Sequence, residues 1–458
     1  MRLRAALLVV GILASLGLVG YSAWQSPWIR SWFARDSENK PEMEQLVNAQ
    51  LPNDAPPEAA SGSPRWRGVA GRGVAPAGSF RVDWDSNPPK ELWRVKIGGG
   101  YGSCSVVGGK LFVQDKQGDN ERVVCLDAAN GNTVWEYAYP TEQAGRDAGY
   151  AIGPRATPTV DGNSVYTTGG AGKLLALEVE GNTAKKRWEH DLLAEFQVPM
   201  PQWGVACSPL VYGDLVIMNV GGKDAAVVAF DKTSGEVKWK AGSNPPSYSS
   251  PVVAPIGGQD TIFAFLGDDL FAIRPTDGKV TGDFNWPTSH GANIATPIVV
   301  GEYVFISSSY GMGCALLRAE KNGDKVSLVK VYERRGRGYQ NHHATSVYKD
   351  RHLFGIDGQQ GGGGLKCVVF ETGNEVKGWD GSELKQATVI LAGDHLIVQT
   401  DRGELCLVEA NPKQFNLIAK TPKLLSGKNN WATPTLVDGR IYLRDEKNVV
   451  CLDVKPGK

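Results

Sequence analysis

No adjacent pair of cysteines occurs in this chain of 458 residues, and no Cys-x-x-Cys-His run. The second absence excludes covalent haem attachment of the c type. There is no His-Glu-x-x-His and no Gly-Lys-Ser/Thr phosphate loop, so the familiar zinc-protease and nucleotide signatures are missing. No Ser-His-Asp spacing or paired-carboxylate motif stands out either. An excess of charge of either sign is also lacking: Lys+Arg and Asp+Glu are both 49. A nucleic-acid partner normally requires a basic surplus, so none is expected. Long hydrophobic runs are nearly absent, with one exception at the N-terminus.

That exception is Ala5 to Trp24, which carries no charge and is long enough to cross a bilayer as a helix. Arg2 and Arg4 precede it, favouring a cytoplasmic N-terminus, although Arg30 and Arg35 beyond it weaken the bias. Residues 1–24 read as a signal anchor. A cleaved signal peptide, with Gly20-Tyr21-Ser22 as its small-x-small site, is the alternative. Either way the body is expected on the periplasmic, extracytoplasmic side of the cell envelope, attached to the membrane through the helix unless it is cleaved. Residues 25–63 read as a flexible linker, because 36–63 is polar and rich in Pro and Ala and cannot bury enough surface to fold alone.

What the chain has in abundance is glycine (56) and tryptophan (13), which suits many short strands joined by tight turns. One phrase recurs. VVCLD stands at Val123–Asp127 and again at Val449–Asp453. Relatives of the first copy begin at Ala176, Ala229, Ala272, Leu316, Val368 and Cys406, so with Cys125 and Cys451 there are eight starts. Their mean spacing of about 47 residues is that of a four-stranded propeller blade. A second phrase lies upstream in each period, as ATPTVDGNSVY from Ala156 and ATPTLVDGRIYL from Ala432. A twisted four-stranded sheet cannot bury both faces alone, and radial stacking buries them against neighbours. The tryptophans that end most copies, Trp135, Trp188, Trp239, Trp286 and Trp379, are expected to fill the gaps between blades, as is Trp93.

The eighth copy stops before an outer strand. The segment 91–97, ELWRVKI, looks like the missing one. The expectation is an all-β, eight-bladed propeller over 64–458 whose last blade, begun at about 431, is completed by 91–97. Cys125, Cys406 and Cys451 occupy the slot that Ala176, Ala229 and Ala272 fill, so they are expected to be free thiols in small buried strand positions.

These phrases resemble the PQQ-type (pyrroloquinoline quinone) propeller repeat, whose signature is an Ala-Leu-Asp turn, a glycine and then a tryptophan. Quinoprotein alcohol dehydrogenases, BamB-like outer-membrane assembly scaffolds and a large set of bacterial PQQ-like proteins of unassigned role share it. The chain is most similar to the last, through PRWRG (Pro64–Gly68), PPKELW (Pro88–Trp93), SSSYGMGCALL (Ser307–Leu317) and NHHATSV (Asn341–Val347). The resemblance implies the fold and the compartment. It implies an active site only weakly: the large dehydrogenases carry an adjacent cysteine pair on the quinone, a Glu/Asn/Asp calcium set and an aspartate base. The cysteine pair is absent here and the calcium set has no matching motif. No cofactor is therefore expected, with PQQ and Ca²⁺ as the alternative.

Propellers usually bind at the loops that enter the inner strands. Tyr101, Arg155, Trp203, Tyr248, Asn293, His342 and Trp431 fall there. Aromatics interleaved with one arginine suit a sugar, a peptide or a planar ring. The plainer expectation is that they plug the channel. His342 and His343, if extended, point to opposite faces, while Asn341 and His343 share one. Arg334, Arg335 and Arg337 read as a solvated turn, with anion capture as the alternative. The loop Gly355–Cys367 reads as a flexible loop at the channel mouth. The function expected is a binding or scaffold module for an envelope protein or a glycan, without redox chemistry. A PQQ-dependent alcohol or sugar dehydrogenase and a carbohydrate hydrolase or lyase are the alternatives.

Overall fold

A computed structural model describes residues 36–51, 62–75, 80–141, 145, 147–150, 152–336, 338–359 and 362–457. The apolar run 5–24 lies outside them, as does Arg337. Among the described residues, no helix is long and apolar enough to cross a membrane.

The strands form eight sheets arranged as consecutive blades, each an antiparallel meander. Strands are lettered A to D from the channel outward. Blade one is Ser105–Val107, Lys110–Gln117, Asn120–Asp127 and Thr133–Pro140. The A strands of blades two to seven are Thr159–Asp161, Leu210–Tyr212, Val252–Ile256, Ile298–Val300, Val347–Lys349 and Ala387–Ala392. Blade eight is Thr435–Val437, Arg440–Arg444 and Asn448–Asp453, and its D strand is Lys90–Lys96, from the other end of the chain. The ring thus closes where the sequence places the missing strand, with Trp93 opposite Cys451. Arg81 adds a second tie, donating to the carbonyls of Asp453 and Lys455.

The repeat has a physical unit in the C–D pair. Cys125 stands opposite Trp135, Ala176 opposite Trp188 and Ala229 opposite Trp239, each followed by a register shift. A small residue there leaves room for the indole, and the bulge aims it at the next blade. The Trp188 indole donates to the Lys232 carbonyl of blade three at 3.1 Å, and Trp239 to the Pro275 carbonyl of blade four at 2.9 Å. Trp93 and Trp379 reach the next blade in the same way, at Ala128 and Asn411. Trp135 packs with Val165 and Leu177 of blade two. In blade five Tyr332 takes the position and donates to Phe370. Trp286 is placed differently. It is fully buried beneath the Arg335 guanidinium, 3.8 Å from its ring centre, and donates to Ser308. Gly282 stands opposite Ala272 instead, because the long hairpin of blade five crosses there. A Cβ on Gly282 would lie 1.8 Å from the Val326 carbonyl oxygen.

Two sheets gain a strand and one lacks a regular fourth. In blade six the D position is filled by 375–381, joined to strand C through isolated bridges at Val368–Glu375 and Leu365–Gly381. Within the stretch read as linker, Ser37–Glu38 pairs with the outer strand of blade five, and the helix Lys40–Asn48 buries Leu46 in that blade's core. Glu42 pairs with Arg318 and Glu38 with Arg334. Arg334 and Arg335 are therefore not a solvated turn: Arg334 is buried at the end of a strand, and Arg335 stacks on Trp286.

A strap, residues 62–75, crosses the far side of the channel. It touches blade one at Ser63–Val106 and blade two at Pro64–Val160. Its Val74–Ala75 then runs parallel to the A strand of blade seven. Midway, the Arg67 guanidinium donates to the carbonyls of Thr345 and Ser346 in blade six.

Candidate functional site

Each A strand is entered through a phrase such as A-T-P-T, and its register fixes two layers. Two residues before strand A stands a hydroxyl: Ser103, Thr157, Ser208, Ser250, Thr296, Thr345 and Thr433 in blades one to six and eight. These hydroxyls tie neighbouring blades. Ser103 accepts from the Thr433 amide, Thr157 from Ser103, Ser208 from Thr157, Ser250 from Ser208 and Thr345 from Thr296, all at 2.8–3.1 Å. Serine and threonine are used because a buried amide without an acceptor is costly.

Four residues before strand A, one turn of the channel wall higher, the side chains face a cavity of about 220 Å³. These are Tyr101, Arg155, Ala206, Tyr248, Ile294, His343 and Trp431. Trp203, His342, Tyr150 and Tyr310 complete the wall, and Trp66 of the strap closes the floor, its indole donating to Thr296 at 3.1 Å. Among the described residues blade seven contributes nothing to the wall. There Gln386, just before strand A, donates to the carbonyls of Gly358, Gln359 and Gly362, anchoring the glycine-rich loop.

The rings touch one another almost continuously. Tyr101 stacks on Trp431 at 5.1 Å, Trp431 on His343 at 4.1 Å and His343 on His342 at 4.0 Å. Tyr310 meets His342 edge-on at 5.4 Å and stacks with Trp203 at 6.4 Å, and Trp203 leans on Tyr248 at 5.6 Å. The remaining arc holds Arg155, 5.5 Å above the Tyr101 ring, with its guanidinium donating to the carbonyls of Gly153 and Tyr150.

Six residues singled out in the sequence meet here: Tyr101, Arg155, Trp203, Tyr248, His342 and Trp431. Two do not line the cavity. Asn293 is fully buried and its amide donates to the carbonyls of Leu266, Gly267 and Trp286. Asn341 is buried too, donating to Ile356 and accepting from Ser346. Both brace the loops from behind. The two histidines do share a face, contrary to the extended reading. The segment around them is a bend rather than a strand, so the side-chain alternation of a strand does not apply. Trp66, Tyr150, Tyr310 and His343 are the residues missed. Only His343 had a signal in the repeat itself, through the four-residue offset.

Burial governs the electrostatics. It lowers the pKa of His342 to about 4 and holds that of His343 well below the usual imidazole value, so both are neutral near pH 7. The Nδ1 atoms of both lack a hydrogen-bond partner. Tyr101 is raised to about 12 by burial first, with the Glu446 charge adding to it. Arg155 is lowered by burial.

Comparison with known proteins places this geometry. A family model described as outer membrane protein assembly factor BamB matches residues 78–191 and 141–378. No curated protein matches the sequence. Among solved structures, a europium-containing methanol dehydrogenase is similar over 90% of this chain and 100% of its own, with TM-score 0.61 and 12% identity. BamB from Moraxella catarrhalis is similar over 80% of this chain and 99% of its own, at 0.53 and 14%. The computationally designed Ika8 protein covers the same shares at 0.54 and 11%. At such identities the likeness concerns the fold.

A metal-bound quinone, the cofactor that this fold family suggests, requires carboxylates for the metal. Among the described residues the cavity lining contains none, and no cluster of three or more His, Cys, Asp or Glu forms a metal site. The aromatic walls suit a planar group but the donor set does not suit its metal. The matched segments span more than half of the chain, and with the repeat register and the closed ring they show that it belongs to the BamB-like family of PQQ-type propellers.

Proposed function

We propose that the protein is a ligand-binding module of the cell envelope, with the aromatic cavity as its contact surface and without redox chemistry of its own. The carrying observation is the nearly unbroken collar from Tyr101 through Trp431, His343, His342, Tyr310 and Trp203 to Tyr248, closed below by Trp66. Such a site holds a guest by stacking and by a few neutral hydrogen bonds. Membership of a family described by outer-membrane assembly supports the envelope setting. So does the uncharged run Ala5–Trp24, read as a membrane anchor.

Cross-linking in intact envelopes, compared between the wild type and Trp203→Ala or His342→Ala, tests the reading. The expected result is an adduct that either substitution weakens without lowering the melting temperature below the assay range. The opposing result is equally concrete. If purified protein given PQQ and Ca²⁺ acquires a bound-quinone spectrum and reduces dye with alcohols, the redox-free reading fails.

A further inference from the structure

Resting on that binding reading, we infer that the cavity takes one uncharged sugar ring, the terminal pyranose of a glycan. The reasoning is by charge, by hydrogen bonding and by shape. A cationic guest meets the aromatic faces favourably but also meets Arg155, and among the described residues no carboxylate lines the wall to offset the repulsion. An anionic guest finds Arg155 as the one cation of the described lining, with two of its five N–H donors held by the carbonyls of Gly153 and Tyr150. The histidines do not add charge, since burial holds them neutral.

A purely apolar guest fits the rings but offers nothing to the imidazole edges that His342 and His343 present to the cavity. A neutral polyol answers both demands. Its C–H faces lie on Trp431, Tyr310 and Trp203, and its hydroxyls donate to or accept from the imidazoles in whichever tautomer they hold. Shape selects an end group. The strap closes the floor with Trp66, so a chain cannot thread the channel, and about 220 Å³ accommodates a single small ring.

The test uses the full chain in detergent. Intrinsic tryptophan fluorescence and saturation-transfer NMR are measured with methyl glucoside, methyl galactoside and cellotriose. Glucosamine is the cationic counterpart and glucuronate the anionic one. At least one uncharged sugar is expected to bind and to beat both charged counterparts. Trp431→Ala is expected to weaken binding by about tenfold or more, a loss of one stacking face. Tyr310→Ala, from a different blade, serves as the second variant should Trp431→Ala fail to fold. Preference for a charged sugar overturns the inference, as does sugar binding that neither variant weakens. If no sugar binds while envelope cross-linking still depends on Trp203, the sugar assignment falls and the binding module stands. If neither is seen, both fall.

Discussion

At the scale of single residues, the sequence repeats a contact rather than a catalytic group. The glycine of the C–D turn in blades one, three, four and six receives the aromatic ring of the preceding blade. A Cβ on Gly235 would lie 2.7 Å from the Trp188 ring, whereas one on Gly181 meets nothing within 4 Å. Both glycines have positive φ, +78° and +60°. Gly181→Ala therefore costs only the backbone strain, about 1–2 kcal/mol. Gly235→Ala adds overpacking and is expected to cost about 1–3 kcal/mol more, read from denaturant midpoints. The histidines make a second residue-scale expectation. His342 titrates near 4 in the folded protein and near 6.5 when unfolded, so the unfolded chain binds its proton first as pH falls. Stability is complete above about pH 6.5 and is lost as pH drops toward 4, by on the order of 3 kcal/mol. Melting followed from pH 7 to 4 should show the decline, and His342→Gln should reduce it while His343 retains its own share. A flat profile in the wild type would show that the imidazole is not held neutral.

At the scale of elements, the strap is the device that the sequence disguised. Its residues Trp66 and Arg67 lie in PRWRG, a phrase that stood out only by resemblance, because a segment without a period of its own gives no strand or helix signal. Tyr310 was hidden likewise, in a B–C turn at positive φ where no alternation predicts direction. By contrast the inner-strand phrases were legible, since a hydroxyl and a cavity residue recur at fixed offsets. Tyr101, Arg155, Tyr248 and Trp431 follow that offset, while Asn293 misses it by one residue and turns inward. Trp286 does fill the gap between blades four and five, but at another level: it ends its copy on time, and the hairpin of the next blade occupies the position opposite Ala272. The strap itself can be tested through Arg67, which is buried and bonded to backbone carbonyls of its own segment and of blade six. Arg67→Ala strands those carbonyls and is expected to cost about 2–4 kcal/mol. It should also create protease cleavage within 62–75 under native conditions, which distinguishes a loosened strap from general destabilisation. Cleavage elsewhere first would show that the strap is not held by this residue.

At the scale of the whole molecule, eight similar blades store their stability in the interfaces between them, so one open interface weakens the entire ring. The core is accordingly divided into clusters between neighbours, such as Trp188 of blade two with Met218 and Phe230 of blade three. The seven cysteines are part of this packing: all are buried and free. Burial raises Cys125, Cys406 and Cys451 to about 12. Native protein should react slowly with a thiol reagent and release seven equivalents on denaturation, and native disulfides would contradict that. The same logic bears on the seam. Lys90–Lys96 pairs with Asn448–Asp453, and Trp93 fills the gap toward blade one, donating to Ala128 at 3.2 Å. Trp93→Ala is expected to cost about 3–5 kcal/mol, like other large buried aromatics. A chain starting at residue 100 loses this strand together with the Arg81 tie and the strap. It should melt well below one starting at 64 and unfold over a broader range, because blades one and eight no longer share a sheet. A peptide spanning 85–99 added in trans should restore part of the lost melting temperature if the strand itself carries closure. Equal melting of the two chains would mean that the ring holds without its seam, and that the N-terminal strand only follows a circle already closed by the hydroxyl ties between neighbouring inner strands.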